Sequence, residues 1–119
     1  MTTINQGMQE LLTCDGAICA MLVDSTSGMI LGQIGSGVDM EVAAAGNTEV
    51  VRAKMKTMRS LGLNDVIEDI LITLGKQYHI IRPMARKEGL FIYLVLDKNK
   101  SNLALARRKV QDIEKDLAV

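Results

Sequence analysis

The chain has 119 residues, of which 48% are hydrophobic and 24% charged, and its formal net charge at pH 7 is zero. This length and composition predict one globular domain over residues 1–119. Zero net charge and 3% aromatic content argue against a nucleic-acid binder, which needs a basic surface and rings for stacking. No signal peptide or bilayer-spanning apolar run is visible, and two cysteines suit a reducing compartment. We expect a cytoplasmic protein without membrane insertion.

The first third of the chain predicts a helix followed by a hairpin. Apolar residues recur at helical spacing over residues 2–13, with Thr2 or Thr3 as the N-cap. The run from Ala17 to Asp24 is continuously apolar, which is typical of a central strand buried on both faces. Residues 28–35 carry glycines and predict a second strand nearer an edge of the sheet.

The remaining elements are a long helix, three strands and a last helix. The long helix is predicted over residues 39–60 with Asp39 as its N-cap, and the last helix follows Asn102. The last strand is again apolar throughout and therefore predicted to be central. The three strands are expected over residues 66–75, 77–86 and 89–97, the second of them bulging or ending near Pro83.

The glycines of "GQIGSG" (residues 32–37) raise the question of phosphate binding, because glycine-rich turns before helices often hold phosphate. Their spacing is the reverse of the dinucleotide fingerprint, and no Lys-Ser or Lys-Thr pair follows as in a P-loop. Asp39 and Glu41 place negative charge at the helix N-terminus, where they suit the helix dipole and would repel a phosphate. We interpret the loop as a turn.

The long helix is apolar over more of its circumference than one sheet face requires. At 3.6 residues per turn the apolar arc of residues 40–61 spans about 220°, against the roughly 100° that one sheet face needs. Asn47 and Lys54 lie near its middle, like a seam between two apolar stripes. A helix sunk entirely in its own core remains the alternative, but self-association is favoured. The opposite, polar side carries Glu41, Thr48, Arg52, Lys56 and Arg59.

The sequence contains no recognisable catalytic constellation. His79 is the single histidine and is interpreted as structural, since no cysteine or carboxylate motif accompanies it. The basic run from Ala106 to Lys109 is interpreted as the solvent face of the last helix. We expect a binding protein rather than an enzyme, with no metal and no cofactor. The acids interpreted as solvated turn or strand residues are Asp15, Asp24, Glu68, Asp69 and Asp97.

The order of elements and several local phrases together resemble one family. The phrases are "DGAICAMLVDSTSGMILGQIG" (residues 15–35), "VAAAGNTEVVRAKM" (42–55), "ILITLGKQYHIIRPM" (70–84) and "LFIYLVLDKNKSNLALARRKV" (90–110). The most specific piece is the Asn-Leu-x-Leu-Ala-Arg phrase at residues 102–107. The chain resembles the Roadblock family of the Roadblock/dynein-light-chain superfamily over essentially its whole length. The compact chain favours a bacterial member.

The resemblance implies an α+β sandwich of the α/β class. Its five-stranded antiparallel sheet would carry the long helix on one face and the two terminal helices on the other. It also implies a dimer formed by the middle helix and the third strand, with a sheet continuous across both chains. The residues predicted to form this dimer or partner interface are Ala43, Ala44, Gly46, Asn47, Val50, Val51, Lys54, Met55, Met58, Glu68, Ile70 and Ile72.

Family membership implies an adaptor or regulator rather than a catalyst. The function expected first is a dimeric regulator or scaffold that binds a small Ras-like GTPase and modulates its nucleotide cycle or its location. One alternative is a motor or cytoskeletal adaptor of the dynein-light-chain kind. Another is a small-molecule sensor domain, since related sheets hold ligands in pockets.

Overall fold

The computed structural model describes residues 2–119, which form three helices and one five-stranded antiparallel sheet. The strand order is β2-β1-β5-β4-β3, so β5 is central and β2 and β3 are the edges. This architecture confirms the predicted fold class and the order of elements. The elements are α1 (Ile4–Leu12), β1 (Ala17–Asp24), β2 (Met29–Gly35), α2 (Met40–Ser60), β3 (Ile70–Thr73), β4 (Gln77–Pro83), β5 (Leu90–Asp97) and α3 (Leu103–Asp116).

The two central strands owe their continuous apolar sequence to burial on both faces of the sheet. In β5, Leu94 packs into the core beneath α1 and α3, whereas Val95 packs into the core beneath α2. In the neighbouring strand β1, Ala20 likewise packs into the core beneath α1 and α3, and Met21 packs into the core beneath α2. Every residue from Phe91 to Leu96 is buried, as expected for a strand covered on both sides. β4 ends at Pro83, in agreement with the prediction.

Each helix begins at a side chain that caps its N-terminal amides. Thr3 accepts a hydrogen bond from the Gln6 amide at 3.2 Å in a capping box, and Asn102 caps α3. Asp39 accepts from the Val42 amide at 3.1 Å, so a carboxylate already occupies the N-terminus of α2. Thr3 and Asp39 are therefore confirmed as caps.

The terminal helices pack together on one face of the sheet, and the two ends of the chain hold them in place. The backbone of Thr2 bonds to the segment around Leu117 in a short parallel bridge. Gly7 permits the close approach of α1 to α3, because a Cβ atom there would lie 2.6 Å from a methyl carbon of Leu117. This face of the sheet therefore has two helices over its core.

The third strand is shorter than predicted, and Glu68 and Asp69 lie before it rather than in it. Arg82 donates to the Glu68 carbonyl at 3.0 Å, and Arg107 donates to both carboxylate oxygens of Asp69 at 2.8 and 3.1 Å. Arg82 thus supplies a donor to a backbone carbonyl of the segment leading into β3, and Arg107 holds the side chain next to it. The interpretation of Asp69 as a solvated acid is therefore wrong, since Arg107 forms a bidentate ion pair with it. The prediction that the run from Ala106 to Lys109 is a solvent face is wrong for Ala106, which is 2% exposed and belongs to the core.

A second ion pair joins β4 to α3 and is more deeply buried. Glu114 is only 3% exposed, and its carboxylate accepts hydrogen bonds from Arg82 and, at 3.0 Å, from the Ala85 amide. A buried carboxylate is stable only when its oxygens are paired in this way. Nothing in the local sequence of α3 distinguishes Glu114 from a surface glutamate.

We predict that Arg82→Met destabilises the protein by about 3 kcal/mol, because it leaves the Glu114 charge buried without its partner. The matched control is Arg108→Met, which removes an arginine from an exposed, 3.9 Å pair with Asp112 and should change stability little. Urea unfolding followed by circular dichroism measures both. Equal effects of the two substitutions would show that the buried pair has no special role.

Candidate protein-interaction surface

The long helix α2 contacts its own sheet through a narrow stripe. Ala44, Thr48, Val51 and Met58 are its buried residues and lie on one side of the helix. Thr48 was predicted on the polar side, and that prediction is wrong: its hydroxyl donates to the Ala44 carbonyl at 2.7 Å. This bond satisfies the hydroxyl within the helix, so the side chain can be buried against the sheet.

One helix is too narrow to cover this face of the sheet. Five strands spaced by about 4.8 Å place the two edge strands roughly 19 Å apart, whereas a helix with its side chains is about 10 Å wide. Among residues 2–119, α2 is the helix that packs on this face, while α1 and α3 share the other. A groove is therefore left along each flank of α2.

The first groove, here called the β3 groove, lies between α2 and the segment that leads into β3. It has a volume of about 460 Å³ and is lined by Val50, Lys54 and Met58 of α2 and by residues 66–70. Val50 is 37% exposed and Val66 is 74% exposed, so much of this apolar lining faces solvent. Apolar side chains exposed together in a groove mark an interaction site more often than isolated ones do.

The β3 groove borders an edge of the sheet, and exposed leucines lie outside the groove lining. β3 pairs with β4 on one side, and its other side is an edge with unpaired backbone groups. Four leucines around the groove and the edge strand are exposed, in the connection after α2 and in and after β3. They are Leu61, Leu63, Leu71 and Leu74.

The structure separates the predicted interface residues into three groups. Ala44, Val51 and Met58 belong largely to the intrachain core, and Ile70 and Ile72 are half-buried beneath α2. Met55 lies on the opposite flank from the β3 groove. An interface role stays a prediction for all of them. Val50, Lys54 and Glu68 line the β3 groove, as do Met58 and Ile70 of the groups above. The other predicted interface residues lie elsewhere on α2, half-buried or exposed: Ala43, Gly46 and Asn47.

Polar side chains beneath α2 form a short chain of contacts. The Tyr93 hydroxyl lies 2.9 Å from His79 Nδ1, and His79 Nε2 lies 2.8 Å from the Gln77 side-chain oxygen. Burial raises the pKa of Tyr93, an effect that Asn47 of α2 partly opposes. Burial lowers the pKa of His79 because it disfavours the imidazolium.

Across residues 2–119, no three His, Cys, Asp or Glu side chains lie close enough together to hold a metal ion. None of the helices there is both long enough and apolar enough to cross a bilayer. Cys14 and Cys19 are free thiols, and burial raises the pKa of each.

A second groove, here called the turn groove, lies on the other flank of α2 and was not expected from the sequence. It has a volume of about 650 Å³ and is bounded by α2 and by the β1–β2 and β4–β5 turns. These turns are distant in sequence, so only their meeting at one end of the sheet creates the groove.

We predict that acid destabilises the fold partly through His79. Its pKa is lowered in the folded state, so the unfolded chain binds the proton more readily, and stability falls as pH drops through the unfolded value of about 6.5. His79→Gln keeps an acceptor for Tyr93 and should show a smaller loss of stability between about pH 7.5 and pH 5.5. Urea midpoints at both pH values test this, and equal losses in the two proteins would contradict it.

No protein-family model and no curated protein matches the chain. Its fold does match solved bacterial structures. A Roadblock/LC7 domain from Streptomyces avermitilis superimposes with a TM-score of 0.82 at 12% identity, covering 96% of this chain and 93% of that one. MglB from Myxococcus xanthus gives 0.75 at 15% identity, covering 94% and 85%.

The gliding protein MglB from Thermus thermophilus gives a TM-score of 0.71 at 16% identity, covering 92% of this chain and 87% of that one. At these identities the similarity is one of fold. The resemblance inferred from the sequence is confirmed at that level, and the chain has the fold of the bacterial Roadblock/LC7 domains.

Proposed function

We propose that two copies of this chain associate through the β3 groove and the edge of β3. The observation that carries the proposal is the exposed apolar surface of Val50 and Val66 in the lining of the β3 groove, beside the unpaired edge of β3. Burying such a surface stabilises association by roughly 25 cal/mol for each Å² of apolar area removed from water. A second copy of the same edge strand would also satisfy the unpaired backbone groups of β3.

The charges of the β3 groove also suit a second copy. Lys54 and Glu68 both line it, and neither takes part in the four ion pairs formed within residues 2–119. In a two-fold interface both copies contribute the same surface. A groove that carries both positive and negative charge can therefore be complementary to a second copy of itself. Gly46 leaves the backbone of α2 open to close approach, because nothing lies within 4 Å of where its Cβ would be.

The proposed task of this dimer is to bind a small Ras-like GTPase in the cytoplasm as a non-catalytic regulator or scaffold. The support is the Roadblock/LC7 fold, together with the family resemblance, which implies regulators and adaptors of this kind. The described residues offer paired grooves and an exposed edge strand as binding surface. Motor or cytoskeletal adaptor activity is an outcome that the capture experiment below distinguishes.

We predict that Val50→Asp converts a dimer into a folded monomer, because a carboxylate would be buried twice in the two-fold interface. The dimer dissociation constant should rise about 30-fold or more, as for a central interface residue. Sedimentation velocity at roughly tens of micromolar measures the assembly, and circular dichroism measures folding. A wild-type chain that stays monomeric at these concentrations would contradict the proposal.

Two control variants separate association from folding. Leu105→Asp places the same charge at a residue of α3 that is 65% exposed and lies on the other side of the sheet, so it should leave the dimer intact. Val51→Asp alters the intrachain core and should unfold the chain rather than release a folded monomer. If Leu105→Asp dissociates the dimer as Val50→Asp does, the interface lies elsewhere.

We predict that the wild-type chain captures a Ras-like GTPase from its native cytosol in one nucleotide state only. Capture in the presence of a GTP analogue or of GDP, followed by mass spectrometry, measures this preference. The matched control is the Val50→Asp monomer, which should retain less of the GTPase if the dimer is the binding unit. Capture of a filament or motor component, indifferent to nucleotide, would replace the GTPase proposal with the adaptor function.

A further inference from the structure

We propose that the turn groove binds an acidic protein segment that inserts an apolar side chain between α2 and the two turns. This site lies on the flank of α2 opposite the β3 groove. The proposal therefore does not depend on dimer formation or on a GTPase partner. The shape, the floor and the charge of the groove favour such a ligand.

The floor of the turn groove is apolar and its wall is fixed. Val51, Met55 and Leu90 contribute apolar surface to a volume of about 650 Å³, which is enough for a large aliphatic or aromatic side chain. Ser25 ties the two turns together, since its amide and its hydroxyl both donate to the Gly89 carbonyl, at 2.6 and 2.8 Å. These hydrogen bonds hold the two turns, which form one wall of the groove, in place in the chain without a ligand.

Positive charge follows the helical side of this groove. Arg52 and Arg59 line it, and Lys56 lies between them on the same exposed side of α2. None of the three takes part in the ion pairs formed within residues 2–119. Residues 50–60 contain four basic residues and no acidic one. Glu88 on the opposite turn is the one acid in the lining, so the field along the helix side is positive.

These features favour an acidic protein segment over an anionic membrane. The apolar surface of Val51 and Leu90 lies at the bottom of a concave groove, where one protruding side chain can reach it. A membrane surface is instead bound by an apolar face that projects beyond its flanking cations. Arginine recognises carboxylates through paired hydrogen bonds, and two arginines about two helical turns apart suit a segment with spaced acidic residues.

The turn groove and the β3 groove can be occupied at the same time. Arg52 and Met55 face the former, whereas Val50 and Lys54 face the latter. A dimer formed through the β3 groove would therefore present two turn grooves to one partner or to two. Such a pair of sites would raise the avidity for a partner with two acidic segments.

The test uses the full chain and a fluorescent synthetic peptide that carries glutamates around a central leucine pair. We expect the peptide to bind, with affinity that falls as salt rises, and to shift the amide NMR signals of Arg52, Met55 and Leu90. The double variant Arg52→Glu/Arg59→Glu should bind at least about tenfold more weakly. The same peptide with glutamine in place of glutamate should bind as weakly to the wild type.

The matched control is Arg108→Glu/Lys115→Glu, which makes the same change of charge on exposed residues of α3. It should bind the acidic peptide like the wild type. Absence of peptide binding, equal weakening in the control variant, or NMR shifts confined to other surfaces would overturn the proposal. A different result would favour a membrane surface and overturn the proposal. In that case the wild type binds vesicles of anionic phospholipid but not the peptide, and Arg52→Glu/Arg59→Glu loses the vesicle binding.

Discussion

The width of the sheet, set against the width of a helix, governs most of this structure. Five hydrogen-bonded strands fix a surface roughly twice as wide as one helix can cover. Two helices, α1 and α3, cover the core on one face, and Gly7 lets them approach closely enough to do so. On the other face α2 packs along a single stripe, over the core that contains Val51 and Val95. The remaining surface of that face must meet solvent or another molecule.

The two flanks that α2 leaves uncovered differ in chemistry, and this difference suggests different occupants. The β3 groove carries charges of both signs beside an edge strand, which suits a second copy of the chain. The turn groove has a positive helical wall and an apolar floor, which suits an acidic partner. The two proposals thus place self-association on one flank of α2 and partner binding on the other.

Features set by local sequence could be predicted, because their causes are local. The apolar runs of β1 and β5 require burial on both faces, and Asp39 caps α2 through an amide three residues away. The excess apolar surface of α2 was visible for the same reason. The sequence does not show which part of the apolar arc faces the sheet, because Thr48 is polar and yet is buried, with its hydroxyl satisfied inside the helix.

Features set by contacts distant in sequence could not be predicted. β3 begins at Ile70 and not at residue 66, and Asp69 just before it pairs with Arg107, which is 38 positions away in the sequence. Glu114 resembles any helical surface acid until β4 brings Arg82 beside it. The turn groove depends on two turns that meet only in the folded sheet. The predicted interface residues followed from α2 and the family resemblance, so their assignment still rests on experiment.

The central claim is that a second copy covers the flank of α2 that borders β3. Amide hydrogen exchange measured by mass spectrometry, at protein concentrations above and below the dissociation constant, tests it most directly. The account predicts that amides in Ile70–Thr73 and in the second half of α2 exchange more slowly at high concentration, while those of Met29–Gly35 do not change. Exchange in β3 that is independent of concentration, or protection that appears at β2 instead, would contradict it.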